Sequence, residues 1–367
     1  MEEMKKKKLI VAAMAALMAG SATIQVAVTP ASAAEIAPKS YTAGSSKEFD
    51  LQAHRGGIGL TVESTIASFS KGIEVGVSTL EMDVQITKDH QAVITHDRQV
   101  TGSKCQDTGP AFPGDPMYPY VGKYIKDLTL AEVRTLDCGS LRQASFPGQQ
   151  LNPGARMPLL SEVFDLVKLY HANKVHMNVE TKVEAGAPNE TAPREEFVQI
   201  VAREVRKAGM INRVTIESFD WGSLMRMHQV EPRLPLVALT NGDQFLQPGK
   251  PGASPWLGGI DIDDFGGDFV AAAHSFGASA ISPVHGDPQN GKVTDPNYKP
   301  YVTKQMVEEA HKYGMKVIPW TVDDEPTMEK LMDDGVDGMI TDYPDLLRSV
   351  MNKRGYKLPK AYPAPKK

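Results

Sequence analysis

Two histidines, an arginine and several carboxylates fall within 44 positions of one another: His54-Arg55-Gly56-Gly57, then Glu63, then Glu81-Met82-Asp83, then His96-Asp97. A structural core seldom holds so many ionisable groups so close together. The inventory suits cleavage of a phosphodiester: imidazoles move protons, carboxylates hold a hard divalent cation, and a guanidinium grips phosphate oxygens. Glu81 and Asp83 are separated by one residue in an apolar run, so on a strand they share a face. Like charges held together are unfavourable unless a cation or a proton intervenes. Glu180 and Lys182 repeat the spacing. Glu81, Asp83 and Glu180 together make a hard oxygen site for Mg²⁺ or Ca²⁺; the alternative is a salt-bridge network around Arg55 and Lys182. His54 and His96 each end an apolar run and each precede a charged residue. One neutral imidazole can deprotonate a hydroxyl while its partner protonates the departing alkoxide. Trp320 either walls a pocket or packs in the core.

The elements that would position these residues alternate. Short β-type runs occur at Asp50–His54, Thr79–Val84, Ala92–His96, Lys174–Glu180, Arg213–Glu217, Pro235–Leu239, Ala278–Ser282, Lys316–Thr321 and Val336–Thr341. Amphipathic segments predict helices over Ser64–Val75, Ser161–His171, Arg194–Ala208, Phe219–Val230, Asp268–Phe276, Thr303–Tyr313 and Pro326–Asp334. The stripe Phe197, Ile200, Val201, Val205 is typical of their helical period. Glycine repeatedly stands between helix and strand, at Gly76, Gly209, Gly277, Gly314 and Gly335. Such a residue accepts the left-handed conformation that ends a helix. Repeated βα units argue for a parallel sheet, open or closed. Asp83 to His96 leaves no room for a crossover helix, so that pair reads as a hairpin turning at Lys88-Asp89-His90. Eight strands then remain, as in a TIM (β/α)₈ barrel. No glycine-rich phosphate loop of Rossmann or Walker spacing follows the first strand.

Periodicity fails over residues 98–157, which hold four closely spaced prolines and both cysteines. A stretch this long is read as an insertion after the second strand and its hairpin, beside the active site. Cys105 and Cys138 predict one disulfide closing a loop of about 33 residues, against the alternative of two buried thiols. A second irregular stretch, Asn241–Gly258, reads as a surface loop.

Of the 367 residues, 41% are hydrophobic and 23% charged, the composition of an ordinary globule with a sizeable core. Lys5–Lys8, the apolar run Leu9–Gly20 and the small residues Ala31-Ser32-Ala33-Ala34 form a secretory signal over residues 1–34, cleaved near Ala33/Ala34. The apolar run is about 12 residues, short of the ~20 a spanning helix needs, so stable membrane insertion is not expected. Export to the periplasm or the medium follows. Without this segment the net charge moves from −5 to −7, because it carries four Lys and two Glu. A mildly acidic protein does not read as a nucleic-acid binder. The barrel is expected over 48–352, and the basic, proline-rich 353–367 as a flexible tail.

The string His54-Arg55-Gly56…Glu63-Ser64-Thr65…Glu81-Met82-Asp83-Val84…Thr87-Lys88-Asp89…His96-Asp97 resembles the glycerophosphodiester phosphodiesterase family. Asn178-Val179-Glu180-Thr181-Lys182, Ser218-Phe219, Pro319-Trp320-Thr321-Val322 and Ile340-Thr341-Asp342-Tyr343-Pro344 continue it in order. The resemblance implies a TIM barrel that hydrolyses small glycerophosphodiesters to sn-glycerol 3-phosphate and an alcohol with one divalent cation, Ca²⁺ or Mg²⁺. By it, His54 and His96 are the general acid/base pair and Glu81, Asp83 and Glu180 ligate the metal. Arg55 and Lys182 hold phosphate, Trp320 lines the pocket, Glu63 supports the site, and residues 98–157 shape leaving-group choice. One departure stands out: Val62-Glu63-Ser64-Thr65 replaces the usual Pro-Glu-Asn-Thr, so the hydrogen bond of that amide is left open.

Three rival readings are weighed. A phospholipase-D-like enzyme acting on lysophospholipid or sphingolipid would use the apolar rim Phe112, Met117, Tyr118, Tyr120 and Phe146. A glycosidase would pair Glu180 with Glu217, leaving His54, His96 and Asp83 without a role. A non-catalytic exported ligand-binding barrel would have no need of the complete acid/base set.

Overall fold

The structure, a computed structural model, describes residues 48–366; the expected signal segment lies outside them. Its strands are β1 Asp50–Ala53, β2 Thr79–Ile86, β3 Ala92–Ile94, β4 His176–Thr181, β5 Val214–Ser218, β6 Leu236–Thr240, β7 Ala280–Pro283, β8 Gly286–Asp287, β9 Lys299–Pro300, β10 Lys316–Val317 and β11 Gly338–Thr341. Eight of them are parallel neighbours in the order β10-β7-β6-β5-β4-β2-β1-β11. Backbone bonds from Asp337 N to Val317 O (2.9 Å) and Ile340 N to Pro319 O (3.0 Å) carry the sheet from β11 back towards β10. A nearly closed (β/α)₈ barrel results.

Strands β2 and β6 are buried along their whole lengths, because side chains on one face fill the barrel and on the other meet helices. Phe69, Ile73, Phe164, Phe197 and Trp221 are fully buried core residues supplied by the surrounding helices. The helix Arg194–Ala208 buries Phe197, Ile200, Val201 and Val205, the stripe its period announces. β3 pairs antiparallel with β2, so the expected hairpin is real.

Two boundaries differ for identifiable reasons. The expected strand Lys316–Thr321 is regular only over Lys316–Val317, because Pro319 has no N–H to give the ladder. The helix expected from Ser64 begins at Ile66, with Thr65 as its cap. Thr65 Oγ1 accepts from Ser68 N and Ser68 Oγ from Thr65 N, both at 3.1 Å.

Residues 98–157 form a satellite with its own small core around Tyr120, Ile125, Leu128, Val133 and Leu136. Cys105 and Cys138 are joined there by a disulfide, with Cα atoms 4.1 Å apart. The tail departs from the frayed terminus expected of it. Tyr362 is buried, donating its backbone N–H to Ile73 O (3.2 Å) and accepting from Lys174 N at its hydroxyl (3.1 Å). Arg348 holds Pro359 O at 2.7 Å, and a Cβ at Gly76 would strike the Ala361 backbone at 2.9 Å. An aromatic anchor and the Arg348 clamp hold this proline-stiffened segment, which loses little entropy on docking.

Cys105 and Cys138 are 33 residues apart. Replacing both by serine is expected to cost about 3–4 kcal/mol of unfolding free energy. A urea midpoint unchanged from that of the oxidised parent would contradict this.

Candidate active site

β1 ends directly in His54-Arg55-Gly56, where Arg55 adopts a left-handed backbone (φ 51°). That turn points the Arg55 N–H at Glu81 Oε2, 2.7 Å away. Glycine is required next: Gly56 has φ 86°, and a Cβ there would meet the Ser68 backbone at 2.7 Å. Ser64 is also left-handed (φ 56°), a conformation asparagine tolerates better than serine. Its N–H bonds to Arg55 O (3.1 Å), while its hydroxyl is buried without a hydrogen-bond partner. The departure seen at this position in the sequence is therefore a small local cost.

Parallel register assembles the acids. β2 and β4 pair Asp83 with Glu180, and β4 and β5 pair Glu180 with Glu217. All three, with Glu81, are almost wholly buried. Lys182 Nζ lies 3.1 Å from Glu180 and 3.6 Å from Asp83, and Arg55 Nε is 3.3 Å from Asp83 Oδ2. Arg55 Nη1 reaches Glu63 Oε2 at 2.5 Å. The salt-bridge network weighed in the sequence is thus present. Among the described residues no group of three or more His, Cys, Asp or Glu side chains is spaced to hold a metal ion.

Charge is nevertheless out of balance. Five buried carboxylates (Glu63, Glu81, Asp83, Glu180, Glu217) face three cations, Arg55, Lys104 and Lys182. Burial, with help from Asp83, pushes the Glu180 carboxyl up to about 8. Burial also raises Glu81, with Asp83 adding to it, and Glu217, with Glu180 adding to it. Asp83 is the exception: His96, Lys182 and Arg55 outweigh its burial and hold it below the usual carboxylate range. Asp83 Oδ2 is buried and, among the described residues, has no partner beyond its 3.3 Å ion pair with Arg55 Nε. The donor set is all oxygen and, with every carboxyl ionised, would carry two uncompensated negative charges, which is the chemistry of a hard divalent cation although the side chains are not spaced around one here.

The imidazoles are each tethered at Nδ1. His54 Nδ1 is 2.5 Å from Asp342 Oδ1, just past β11, and its Nε2 lies 4.0 Å from Glu81. Behind Asp342 stands Asp323, whose carboxyl accepts from Asp342 N (2.8 Å) and is pushed up to about 8 by burial and by Asp342. His96 Nδ1 is 2.8 Å from Asp97 Oδ1. Burial, aided by Arg55 and Lys182, takes His96 down to about 4. An ionised carboxylate only accepts, so each tether leaves Nε2 free for proton transfer.

A cavity of about 480 Å³ meets this cluster at His96, Glu180 and Lys182. Its outer part holds Arg98, Glu184 and Glu190 opposite Phe219 and a Phe245–Trp256 stack at 4.2 Å. Trp320, expected to line the pocket, stands behind Phe219 instead (ring centroids 5.4 Å), its Nε1 tied to Ser282 O at 2.9 Å. The barrel mouth is already crowded by the Phe219, Phe245 and Trp256 rings. Sequence reasoning paired Glu217 with Glu180 only in the glycosidase reading, and gave no role to Asp342 as the partner of His54 or to Lys104. The polar residue directly after a barrel strand was the available signal for Asp342; Lys104 sits in an aperiodic insertion and had none.

The family model described as the glycerophosphoryl diester phosphodiesterase family matches residues 54–346. A glycerophosphodiester phosphodiesterase of Caldanaerobacter subterraneus subsp. tengcongensis is 28% identical over 303 residues, 83% of this chain and 98% of that one. A crystal structure from Silicibacter pomeroyi carrying the same family name is 27% identical with a TM-score of 0.69, covering 86% of this chain and 96% of that one. An Oleispira antarctica phosphodiesterase in complex with sn-glycerol-3-phosphate shares the fold (TM-score 0.57, 18% identity, 83% and 96% covered).

The acid cluster makes stability depend on pH. Raised carboxyls stabilise the fold fully below their ordinary value of 4.5 and lose that contribution as pH climbs through the folded value, about 8 for Glu180. Glu63 runs the other way: Arg55 and Lys104 outweigh its burial and hold it down to about 2, so its contribution disappears in acid. In EDTA the melting temperature is expected to fall between pH ~5 and ~8, and Mg²⁺ or Ca²⁺ to restore it more at pH ~8 than at pH ~5. A melting temperature flat across that range in EDTA and unmoved by either cation would count against this reading.

Proposed function

The protein belongs to the glycerophosphoryl diester phosphodiesterase family, and on that premise we propose that it hydrolyses glycerophosphodiesters to sn-glycerol 3-phosphate and an alcohol, with His54 and His96 as its acid–base pair. The observation that carries this reading is the pair of Nδ1-tethered imidazoles around one cluster that also holds Arg55 and Lys182. The relatives named as glycerophosphodiester phosphodiesterases, and the sn-glycerol-3-phosphate held by the Oleispira neighbour, support the substrate class.

Arg55 and Lys182 bring positive charge to the equatorial phosphate oxygens, where charge builds as the diester is cleaved. His96, pushed down to about 4 chiefly by burial, is neutral at neutral pH and suits proton abstraction from the attacking oxygen, either water directly or the glycerol 2-hydroxyl, whose cyclic phosphate water then opens. Donation to the departing alkoxide then falls to His54, oriented by Asp342. Glu81, Asp83 and Glu180 would hold a divalent cation, Mg²⁺ or Ca²⁺, which supplies Lewis-acid stabilisation of the phosphate. Glu63 restrains Arg55. The cavity beside Phe219, Phe245 and Trp256 would take the alcohol, with Trp320 backing Phe219. The Cys105–Cys138 disulfide, with the secretory signal expected over residues 1–34, supports an activity outside the cytoplasm.

The test is hydrolysis of glycerophosphocholine, glycerophosphoethanolamine, glycerophosphoglycerol and lysophosphatidylcholine, with Mg²⁺, Ca²⁺ or EDTA. Cation-dependent release of sn-glycerol 3-phosphate is expected. His54→Ala and His96→Ala are each expected to lower kcat by about 10²-fold or more with an unchanged circular dichroism spectrum. Preferential turnover of lysophosphatidylcholine would move the assignment to the phospholipase-D-like reading. No turnover of any diester under any condition would refute both.

A further inference from the structure

We infer that Lys104 is a positioning residue that ties Arg55, on the phosphate side of the site, to His96, on the proton-transfer side, through Glu63 and Asp97. The inference rests on the phosphodiesterase reading above. Lys104 belongs to the insertion, not to the barrel, yet its Nζ lies 2.8 Å from Glu63 Oε1 and 3.0 Å from Asp97 Oδ1. The other Glu63 oxygen holds Arg55 Nη1 at 2.5 Å. Asp97 Oδ1 is the same atom that holds His96 Nδ1 at 2.8 Å. One ammonium therefore closes a chain of charge-assisted contacts from Arg55 to His96.

Local structure delivers the ammonium to that place. Lys104 N and Cys105 N both donate to Thr101 O (3.0 and 2.9 Å), and the Thr101 hydroxyl donates to Asp97 Oδ2 (2.7 Å). This compact turn is locked at its next residue by the Cys105–Cys138 bond. Gln143, beyond the second cysteine, donates to Glu63 Oε1 at 3.1 Å. The insertion thus grips one carboxylate oxygen from both sides of its disulfide, and a small cavity of about 20 Å³ is lined jointly by Glu63, Lys104, Cys105, Cys138 and Gln143.

The Lys104 side chain is 24% exposed and Glu63 7%, so the contacts are only partly screened by solvent. A surface salt bridge of the ordinary kind would add little. Here its loss would leave Glu63 shared only between Arg55 and a neutral amide. Asp97 would lose the cation that, with the Thr101 hydroxyl, fixes its orientation, and His96 would lose the fixed partner of its Nδ1. Both sides of the phosphate would be misplaced together, and misplacement on the ångström scale costs about 10²-fold in rate.

The experiment compares the parent with Lys104→Met, Lys104→Arg, Asp97→Asn and the Lys104→Met/Asp97→Asn double variant on glycerophosphocholine at saturating cation. Lys104→Met is expected to lower kcat by about 10- to 100-fold while KM and the melting temperature change little. Lys104→Arg is expected to recover most of the rate. The double variant should be no slower than its slower single parent, since both substitutions break one chain. A Lys104→Met rate within about twofold of the parent, a loss accounted for by unfolded protein, or multiplicative effects in the double variant would each overturn the inference while leaving the phosphodiesterase reading intact. A parent inactive on every diester would overturn both.

Discussion

Everything at the mouth of this barrel is organised around an excess of buried negative charge. Strands β2, β4 and β5 place Glu81, Asp83, Glu180 and Glu217, all buried, in one run of parallel register. Arg55 and Lys182 offset part of it through their ion pairs with Asp83. The remainder is carried as protons on raised carboxyls or by a bound cation, and these compete for the same oxygens. An arrangement this costly to the fold is what a phosphate-handling site requires: a strong local field with a replaceable positive component.

The histidines are held by two unlike devices. His96 is tethered by its sequence neighbour, Asp97, so its orientation depends on the start of the insertion. His54 is tethered by Asp342, 288 residues away, so its orientation depends on β11 returning beside β1. Closure of the barrel therefore orients His54 for the role proposed for it as well as completing the fold. The insertion is likewise more than a cover: its disulfide-closed turn brings Lys104 against the two carboxylates that restrain Arg55 and His96.

The packing outside the site shows where local pattern and tertiary context part company. The tail 353–366 has the composition of a frayed end, yet Tyr362 finds a slot between Ile73 and Lys174 that only the assembled helices create. Trp320 carries the family motif but packs edge-on to Phe219, which in turn meets the Phe245 and Trp256 rings of the Asn241–Gly258 loop. Ser64 occupies a left-handed turn on behalf of the helix it introduces, a small strain that the capping box at Thr65 offsets.

The alternation of apolar runs and amphipathic stripes, punctuated by glycine, was enough by itself to specify eight strands and seven of the helices around them, but not the helix Pro344–Lys353, because periods of 2.0 and 3.6 are written in the residues. The hairpin, the insertion, the cysteine pair and the ionisable cluster His54, Arg55, Glu63, Glu81, Asp83 and His96 were legible for the same reason: each depends on residue type and short spacing. The side-chain partnerships were not. That Asp342 rather than a nearby acid holds His54, and that Lys104 bridges Glu63 to Asp97, are contacts across 288, 41 and 7 residues. Even the short one required the disulfide-locked turn. Distances of this kind are set by how strands pair and loops fold back, which no local period encodes, and so only the tertiary structure decided them.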